Sequence, residues 1–223
     1  DFLIARAERP LDKKRKERLA LFCNLDSADI ISNPDVESVY DVAVAFDEQQ
    51  FADRILKYWR LKPKQKDLAD WIKLAQTVKA VSQELTIAIV GKYFSTGDYV
   101  LSDVYLSVIE SLKYAGWHHG VKIKMRWVDS EKIESDGAAK HLQGVAGVIV
   151  PGGFGSRGIE GIIQAIQYAR ENKVPYFGLC YGMQLATVEI ARHVALLKDA
   201  NSTEIDLKTK HPVIHIMPDQ EKK

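Results

Sequence analysis

Cysteine is scarce in this chain: Cys23 and Cys180 are the only two among 223 residues. They lie far apart and neither belongs to a C-x-x-C pair. This excludes a disulfide framework and a cysteine-built redox or zinc pair, and it fits a reducing cytoplasm. No apolar run approaches the roughly 18 residues of a transmembrane helix, and no signal peptide is visible. A membrane partner is therefore not expected. With 31 basic and 30 acidic residues the net charge is +1, so no long-range attraction to nucleic acid follows either. Internal repeats and low-complexity tracts are lacking, as is an initiator Met. Asp1-Phe2-Leu3-Ile4-Ala5 reads as the middle of a strand. At the far end, Gln220-Glu221-Lys222-Lys223 follows strand-like Val213–Ile216 with no closing helix. The chain reads as cut at both ends.

What is present is a soluble globular composition, 46% hydrophobic and 27% charged, with room for one sizeable domain or one plus a fragment. Residues 1–45 hold a strand (Phe2–Ala5), a basic helix (Lys13–Phe22) and a second short strand (Asp29–Ser32). The run Lys13-Lys14-Arg15-Lys16-Glu17-Arg18 is either a solvated helix face or a set of phosphate contacts. Helices are expected at Phe46–Trp59 and Lys66–Val81, broken by Leu61-Lys62-Pro63-Lys64 because proline removes a donor and restricts its predecessor. Leu68, Ile72, Ala75 and Val78 mark a packed face on the second. A boundary falls at about residue 83. The organisation expected is thus 1–45, a helical linker at 46–83, and 84–223.

From Glu84 the pattern becomes strand, helix, strand, which argues a parallel sheet covered on both faces. Thr86–Gly91 is a buried strand, and Leu101, Tyr105, Val108, Ile109 and Leu112 keep helical spacing until Gly116 ends that helix. Val121–Val128 alternates basic and apolar residues, as a half-exposed strand near an edge would. Gly147–Val150 is buried, and the helix after it presents Ile159, Ile162, Ile163, Ile166 and Ala169.

Val174-Pro175-Tyr176-Phe177-Gly178-Leu179 reads as a buried strand running into Gly178-Leu179-Cys180-Tyr181-Gly182 and straight on into a helix. Met183, Ala186, Ile190, Val194 and Leu197 fall at helical spacing. G-x-C-x-G is the thiol version of a strand–nucleophile–helix elbow, whose glycines relieve crowding around a strained central residue. A Cys just before a helix N-terminus meets N–H groups and a dipole end that favour a negative sulfur. The plain alternative is a core cysteine between incidental glycines.

Gly153-Phe154-Gly155-Ser156-Arg157-Gly158 matches G-x-G-x-x-G. A dinucleotide site would place that motif after the first strand of its domain, with an acidic residue ending the next. Here it follows the third strand, and the next strand ends in Cys180. The loop serves better as backbone N–H groups facing the elbow, where the N–H groups of Gly153 and Tyr181 hold a tetrahedral oxyanion. A flexible turn is the bland alternative.

PGGFGSRGIEG (151–161), GLCYGMQLA (178–186) and ARHVALLKDANSTE (191–204) together resemble the class I glutamine amidotransferase domain of the CTP synthase family. ARAERPL (5–11), RLALFCNL (18–25) and ISNPDVESVYDV (31–42) resemble the end of that family's amidoligase domain, and residues 46–83 its linker. The resemblance implies a flavodoxin-like α/β domain after an amidoligase fragment. It implies a ligase of pyrimidine biosynthesis that hydrolyses glutamine at Cys180 and aminates UTP with the ammonia, using ATP and Mg2+ and activated by GTP, as a cytoplasmic homotetramer. By motif, Gly152 and Gly153 are glutamine and oxyanion contacts, Tyr181, Gly182, Met183 and Gln184 line the glutamine site, and Glu204 takes the substrate's amino group. Upstream, Asp35 and Val36 match an adenine contact and Arg6 an ATP contact. Arg18 stands where the family commonly has a Lys on the pyrimidine nucleotide, and Arg157 lies in the GTP-linked lid. No residue is assigned to a metal.

Two departures stand out. Tyr181 occupies an elbow position where the family commonly carries Leu. The family's base is the His of a His-Pro-Glu segment, and no His-x-Glu occurs; His211-Pro212-Val213 matches a different segment, and His193 and His215 read as structural. No G-x-x-x-x-G-K-[ST] phosphate loop occurs either. The expectation is an internal portion of such a synthase that does not by itself turn over glutamine. Two competing readings stay open: an amidotransferase serving another acceptor, and a non-catalytic protein with an oxidisable Cys elbow.

Overall fold

The computed structural model describes residues 1–92, 95–96, 99–100, 105–217 and 220. The expectations for Leu101 and for Glu221–Lys223 lie outside them. The chain divides into two compact units, Asp1–Val81 and Ser82–Lys223.

In the first unit Leu3–Ala7 (β1) and Ile30–Pro34 (β2) pair in parallel, with Leu3 opposite Ile30 and Ala7 opposite Pro34. Parallel strands require a crossover, here Lys13–Cys23 (α1). Asp12 starts it by accepting the Arg15 N–H, and Asn24 stops it in the left-handed conformation at φ 53°. The basic run is solvated apart from half-buried Lys16, whose Nζ donates to Gln49 Oε1.

The single helix expected at 46–59 is two, Asp41–Glu48 (α2) and Phe51–Tyr58 (α3), divided at Gln50 with φ 55°. The cause is tertiary. The Gln49 amide accepts from the Ser32 N–H and donates to the Ser32 and Ala45 carbonyls, tying the end of α2 to β2. Ala69–Ala80 (α4) follows. Its Trp71 Nε1 donates to the Tyr40 carbonyl at 2.7 Å, and Ala75 is buried, while Ile72 is exposed rather than packed.

The second unit is built on Glu84–Gly91 (β3), whose residues Ala88, Ile89 and Val90 are wholly buried. After it come Ser95–Thr96 (β4) and Tyr99–Val100 (β5), an antiparallel pair, and then Leu106–His118 (α5). Gly116 does not end α5. It lies inside it, buried, where a Cβ would stand 2.6 Å from the Val121 carbonyl. The glycine is needed for close approach to Lys122–Asp129 (β6) rather than as a cap.

Next are Ser130–Asp136 (α6), Ala138–Leu142 (α7), Gly147–Val150 (β7), Ile159–Glu171 (α8), Tyr176–Gly178 (β8) and Tyr181–His193 (α9). Ala200–Ser202 (β9) and His211–Ile214 (β10) form a small parallel pair. The main sheet is all parallel in the order β6-β3-β7-β8. β6 is at an edge, as its alternation predicts. Ile159, Ile162, Ile163, Ile166 and Ala169 of α8 are all buried against β7 and α9.

One expectation about the elbow segment is corrected. Phe177 is 59% exposed. β8 is only three residues long and borders the described sheet, so alternation sends Tyr176 into the core and Phe177 outward. In α9 the inward face carries Tyr181, Leu185, Val188 and Ala191, while Met183, Ile190 and Val194 are exposed. Both faces contain apolar residues at helical spacing, so periodicity alone does not select between them.

The core of α9 also holds a carboxylate. Glu189 is fully buried; it accepts two hydrogen bonds from Arg170 Nε and a third from Arg170 NH2 at 2.8 Å, and lies 3.2 Å from His193 Nδ1. Removing one partner strands a buried charge, typically at about 3–5 kcal/mol. Because Arg170 reaches solvent, Arg170→Ala is expected to lower the unfolding free energy by about 2 kcal/mol, measured by urea denaturation.

Candidate active site

Three loops meet at the carboxyl ends of β3, β7 and β8. The chain order reverses between β3 and β7, the place where open parallel sheets hold their ligands. β3 delivers Lys92, β7 delivers Pro151–Gly158, and β8 delivers Cys180.

Cys180 is the N-cap of α9, with φ 52° and ψ −102°. A residue with a Cβ is strained there, at a cost on the order of 1–3 kcal/mol. The turn is held on both sides of it. Leu179 N–H donates to Val150 O at 2.9 Å, Gly182 N–H to Leu179 O at 3.0 Å and Gln184 N–H to Cys180 O at 3.1 Å. The two elbow glycines are required by contact: a Cβ on Gly182 would lie 2.3 Å from Val150 O, and one on Gly178 would lie 2.5 Å from the Gly182 carbonyl carbon. The thiol is exposed, which removes the core-cysteine alternative. Met183 is exposed beside it, and Gln184 is half-buried.

The glycine loop lies against this elbow. A Cβ on Gly152 would come 3.7 Å from the Cys180 Cβ. Gly152, Gly153 and Tyr181 line one small cavity together with Lys92 and Tyr105. Three of the loop's carbonyls accept side-chain hydrogen bonds. Tyr105 Oη donates to Gly152 O at 3.3 Å, Lys92 Nζ donates to Phe154 O at 3.2 Å and to Gly155 O at 2.6 Å, and Tyr181 Oη donates to Gly155 O at 2.7 Å. Gly155 N–H donates to Glu204 Oε1 at 3.1 Å, which brings the NSTE segment to the site. Arg157 NH2 donates to the Lys92 carbonyl at 3.0 Å, and its Nε pairs with Glu131 at 3.1 Å.

Lys92 is the residue that motif reasoning missed. It is buried, with its Nζ 4.5 Å from the Tyr181 ring centroid. Burial pushes its ammonium below the ordinary lysine value, and the Glu204 carboxylate pulls the other way. The available signal was a lone charge placed directly at the end of an apolar strand, in Val90-Gly91-Lys92. Beneath the elbow, Tyr176 Oη donates to Gly182 O at 2.8 Å, and burial raises the phenol above its usual range.

Upstream, the structure brings Arg6 and Asp35 together. Arg6 Nε and NH2 both donate to Asp35 Oδ1, at 3.2 and 2.8 Å, and exposed Val36 is the next residue. Both lie just past or at the carboxyl ends of β1 and β2. Arg18 is not part of this pair; its guanidinium stands 6.0 Å from the Phe22 ring centroid on α1. His141, His193 and His215 bond Asp136, Glu189 and the Ile216 carbonyl respectively, and none of these contacts involves Cys180. Among the described residues no group of three or more His, Cys, Asp or Glu is placed to hold a metal ion, and no helix is long and apolar enough to cross a membrane.

Residues 100–221 match the family description glutamine amidotransferase class-I, and residues 1–61 match CTP synthase N-terminus. The CTP synthase of Caldanaerobacter subterraneus subsp. tengcongensis is 46% identical over 220 residues, covering 99% of this chain and 40% of that protein. That of Listeria innocua is 44% identical over 220 residues, with the same coverage. This chain therefore spans about 40% of the length of these relatives. Among solved structures, the glutaminase domain of Trypanosoma brucei CTPS with bound acivicin is 40% identical. It matches with a TM-score of 0.55 over 60% of this chain and 50% of that one.

Proposed function

This chain belongs to the class I glutamine amidotransferase family, and from that premise we propose that it carries the glutamine-hydrolysing site of a CTP synthase. The observation that carries the reading is Cys180, exposed and strained at the N-cap of α9 with the Gly152 backbone against it.

In this reading the Cys180 sulfur attacks the side-chain amide carbon of glutamine. The S–C bond forms and the amide oxygen takes negative charge, held by backbone N–H groups of Gly153 and Tyr181. The C–N bond then breaks, and ammonia leaves with the proton the thiol has given up. Water cleaves the thioester to release glutamate and restore the thiol. Glu204 offers a carboxylate to the substrate's ammonium, and the Gly155 N–H on its Oε1 holds it in place. The ammonia aminates UTP in an ATP-dependent step, with Arg6, Asp35 and Val36 on the nucleotide side and Arg157 in a GTP-responsive lid. No residue of this chain is assigned to Mg2+ in the proposal. A cytoplasmic homotetramer belongs to the same proposal.

The test is covalent capture. Acivicin, or a glutamine analogue bearing a diazoketone, is expected to modify Cys180 stoichiometrically, with free glutamine slowing the reaction; peptide mass mapping locates the adduct. Absence of the adduct overturns the reading. Oxidation of Cys180 by peroxide without capture by either analogue supports a redox role instead.

A further inference from the structure

We propose that Tyr181 is a positioning residue for this chemistry: its hydroxyl, acting with the Lys92 ammonium, gathers the glycine-loop carbonyls and so sets the Gly152-Gly153 backbone against the Cys180 thiol. The inference rests on the glutamine-hydrolysing reading and adds a residue to it.

The geometry is specific. The Phe154–Gly155 peptide is gripped at both ends, its carbonyl by Lys92 Nζ at 3.2 Å and its N–H by Glu204 Oε1 at 3.1 Å. In a trans peptide these two groups point in opposite directions, so Lys92 and Glu204 clamp the plane from opposite sides. The next carbonyl, Gly155 O, accepts from both Lys92 Nζ at 2.6 Å and Tyr181 Oη at 2.7 Å. Gly155 itself is at φ 79° with nothing within 4 Å of a Cβ position, so backbone packing does not hold it. A glycine-rich loop is free to wander unless its polar groups are fixed, and here side chains fix them.

Tyr181 is the residue immediately after the nucleophile. Its side chain is buried beneath the loop, so the bond to Gly155 O makes elbow and loop one unit. Leu, which the family's elbow commonly carries, has no hydroxyl to make it. Lys92 completes the clamp by packing over the Tyr181 ring with Nζ 3.5 Å from the hydroxyl. The clamp and the proposed substrate ammonium meet at Glu204, so loop position and substrate binding share one carboxylate.

The experiment measures capture by the diazoketone analogue on the full chain, separating its half-saturation concentration from the maximal capture rate. In that reaction the sulfur bonds the diazo carbon, nitrogen gas leaves, and the thiol proton ends on that carbon. Iodoacetamide, which needs no loop, reports the thiol alone. Tyr181→Phe is expected to lower the maximal capture rate roughly tenfold, as loss of one hydrogen bond allows. Half-saturation is free to rise, because the loop and the substrate ammonium share Glu204, while the iodoacetamide rate is expected to stay within about twofold, since that reagent meets the thiol without the loop. Lys92→Met keeps the stem, removes the ammonium and is expected to give the same pattern, so the test does not depend on one variant folding. Equal capture rates in the wild type and both variants overturn the positioning role and leave the glutamine reading standing. A parallel fall in the iodoacetamide rate also overturns it, because the residue would then act on the elbow as a whole. No capture by the wild type defeats the glutamine reading itself.

Discussion

Replacing Cys180 by glycine is expected to make the protein more stable while abolishing its chemistry. At φ 52° and ψ −102° a Cβ is held in a region that only glycine enters freely, and relief is worth on the order of 1–3 kcal/mol. Glycine's greater freedom when unfolded takes back about 0.5–1 kcal/mol. The exposed thiol contributes little burial. The net expectation is a gain of about 1 kcal/mol, seen as a rise of roughly 2–4 °C in the thermal midpoint. Covalent capture is lost entirely. Glutamine hydrolysis by the protein that contains this site falls by a factor on the order of 10⁴ or more, as when a nucleophile is removed. Cys180→Ser retains the strain and is expected to lose activity without gaining stability. A destabilised Cys180→Gly variant would show that the elbow stores no strain at that residue.

Gly182→Ala is expected to do the reverse and damage the fold at the site. The new Cβ would lie 2.3 Å from Val150 O and 2.9 Å from the Val150 Cβ. Neither is the movable end of a side chain, so α9 must shift away from β7, or β7 must bend. Overpacking of this kind costs about 1–3 kcal/mol, and the backbone contact places this case at the upper end, about 3 kcal/mol. Gly155→Ala is the control. Its Cβ meets nothing within 4 Å, and only φ 79° opposes it, so about 1 kcal/mol is expected. Urea denaturation of the two variants side by side decides the matter. Equal losses would mean that the helix–strand contact at the elbow is looser than the geometry describes.

Much of the second unit is legible in its sequence. Apolar residues at Ile159, Ile162, Ile163, Ile166 and Ala169 form one narrow stripe and leave α8 only one face to bury. The alternation of Lys122, Lys124 and Arg126 places β6 at an edge because a central strand cannot solvate three cations on one face. In the first unit, Gln49 shows the opposite case. A continuous helical pattern from 46 to 59 is broken by a side chain that prefers the backbone of Ser32, on a strand earlier in the chain.

By itself the sequence determined what depends on neighbours along the chain: the strand–elbow–helix order around Cys180, the two glycines that let it turn, and the glycine loop after β7. Those follow from chain order and local dihedral preference: Gly178 is crowded by the Gly182 backbone within the same turn, whereas the need for Gly182 comes from Val150 on the neighbouring strand. Only the tertiary structure decided which stripe of α9 faces inward, why Phe177 is left outside, and that Lys92, Tyr181 and Glu204 hold one loop between them. The reason is physical. Burial and hydrogen-bond satisfaction are settled by partners brought in from distant strands, and residue 92 meets residues 154, 155 and 181 only because β3, β7 and β8 lie side by side.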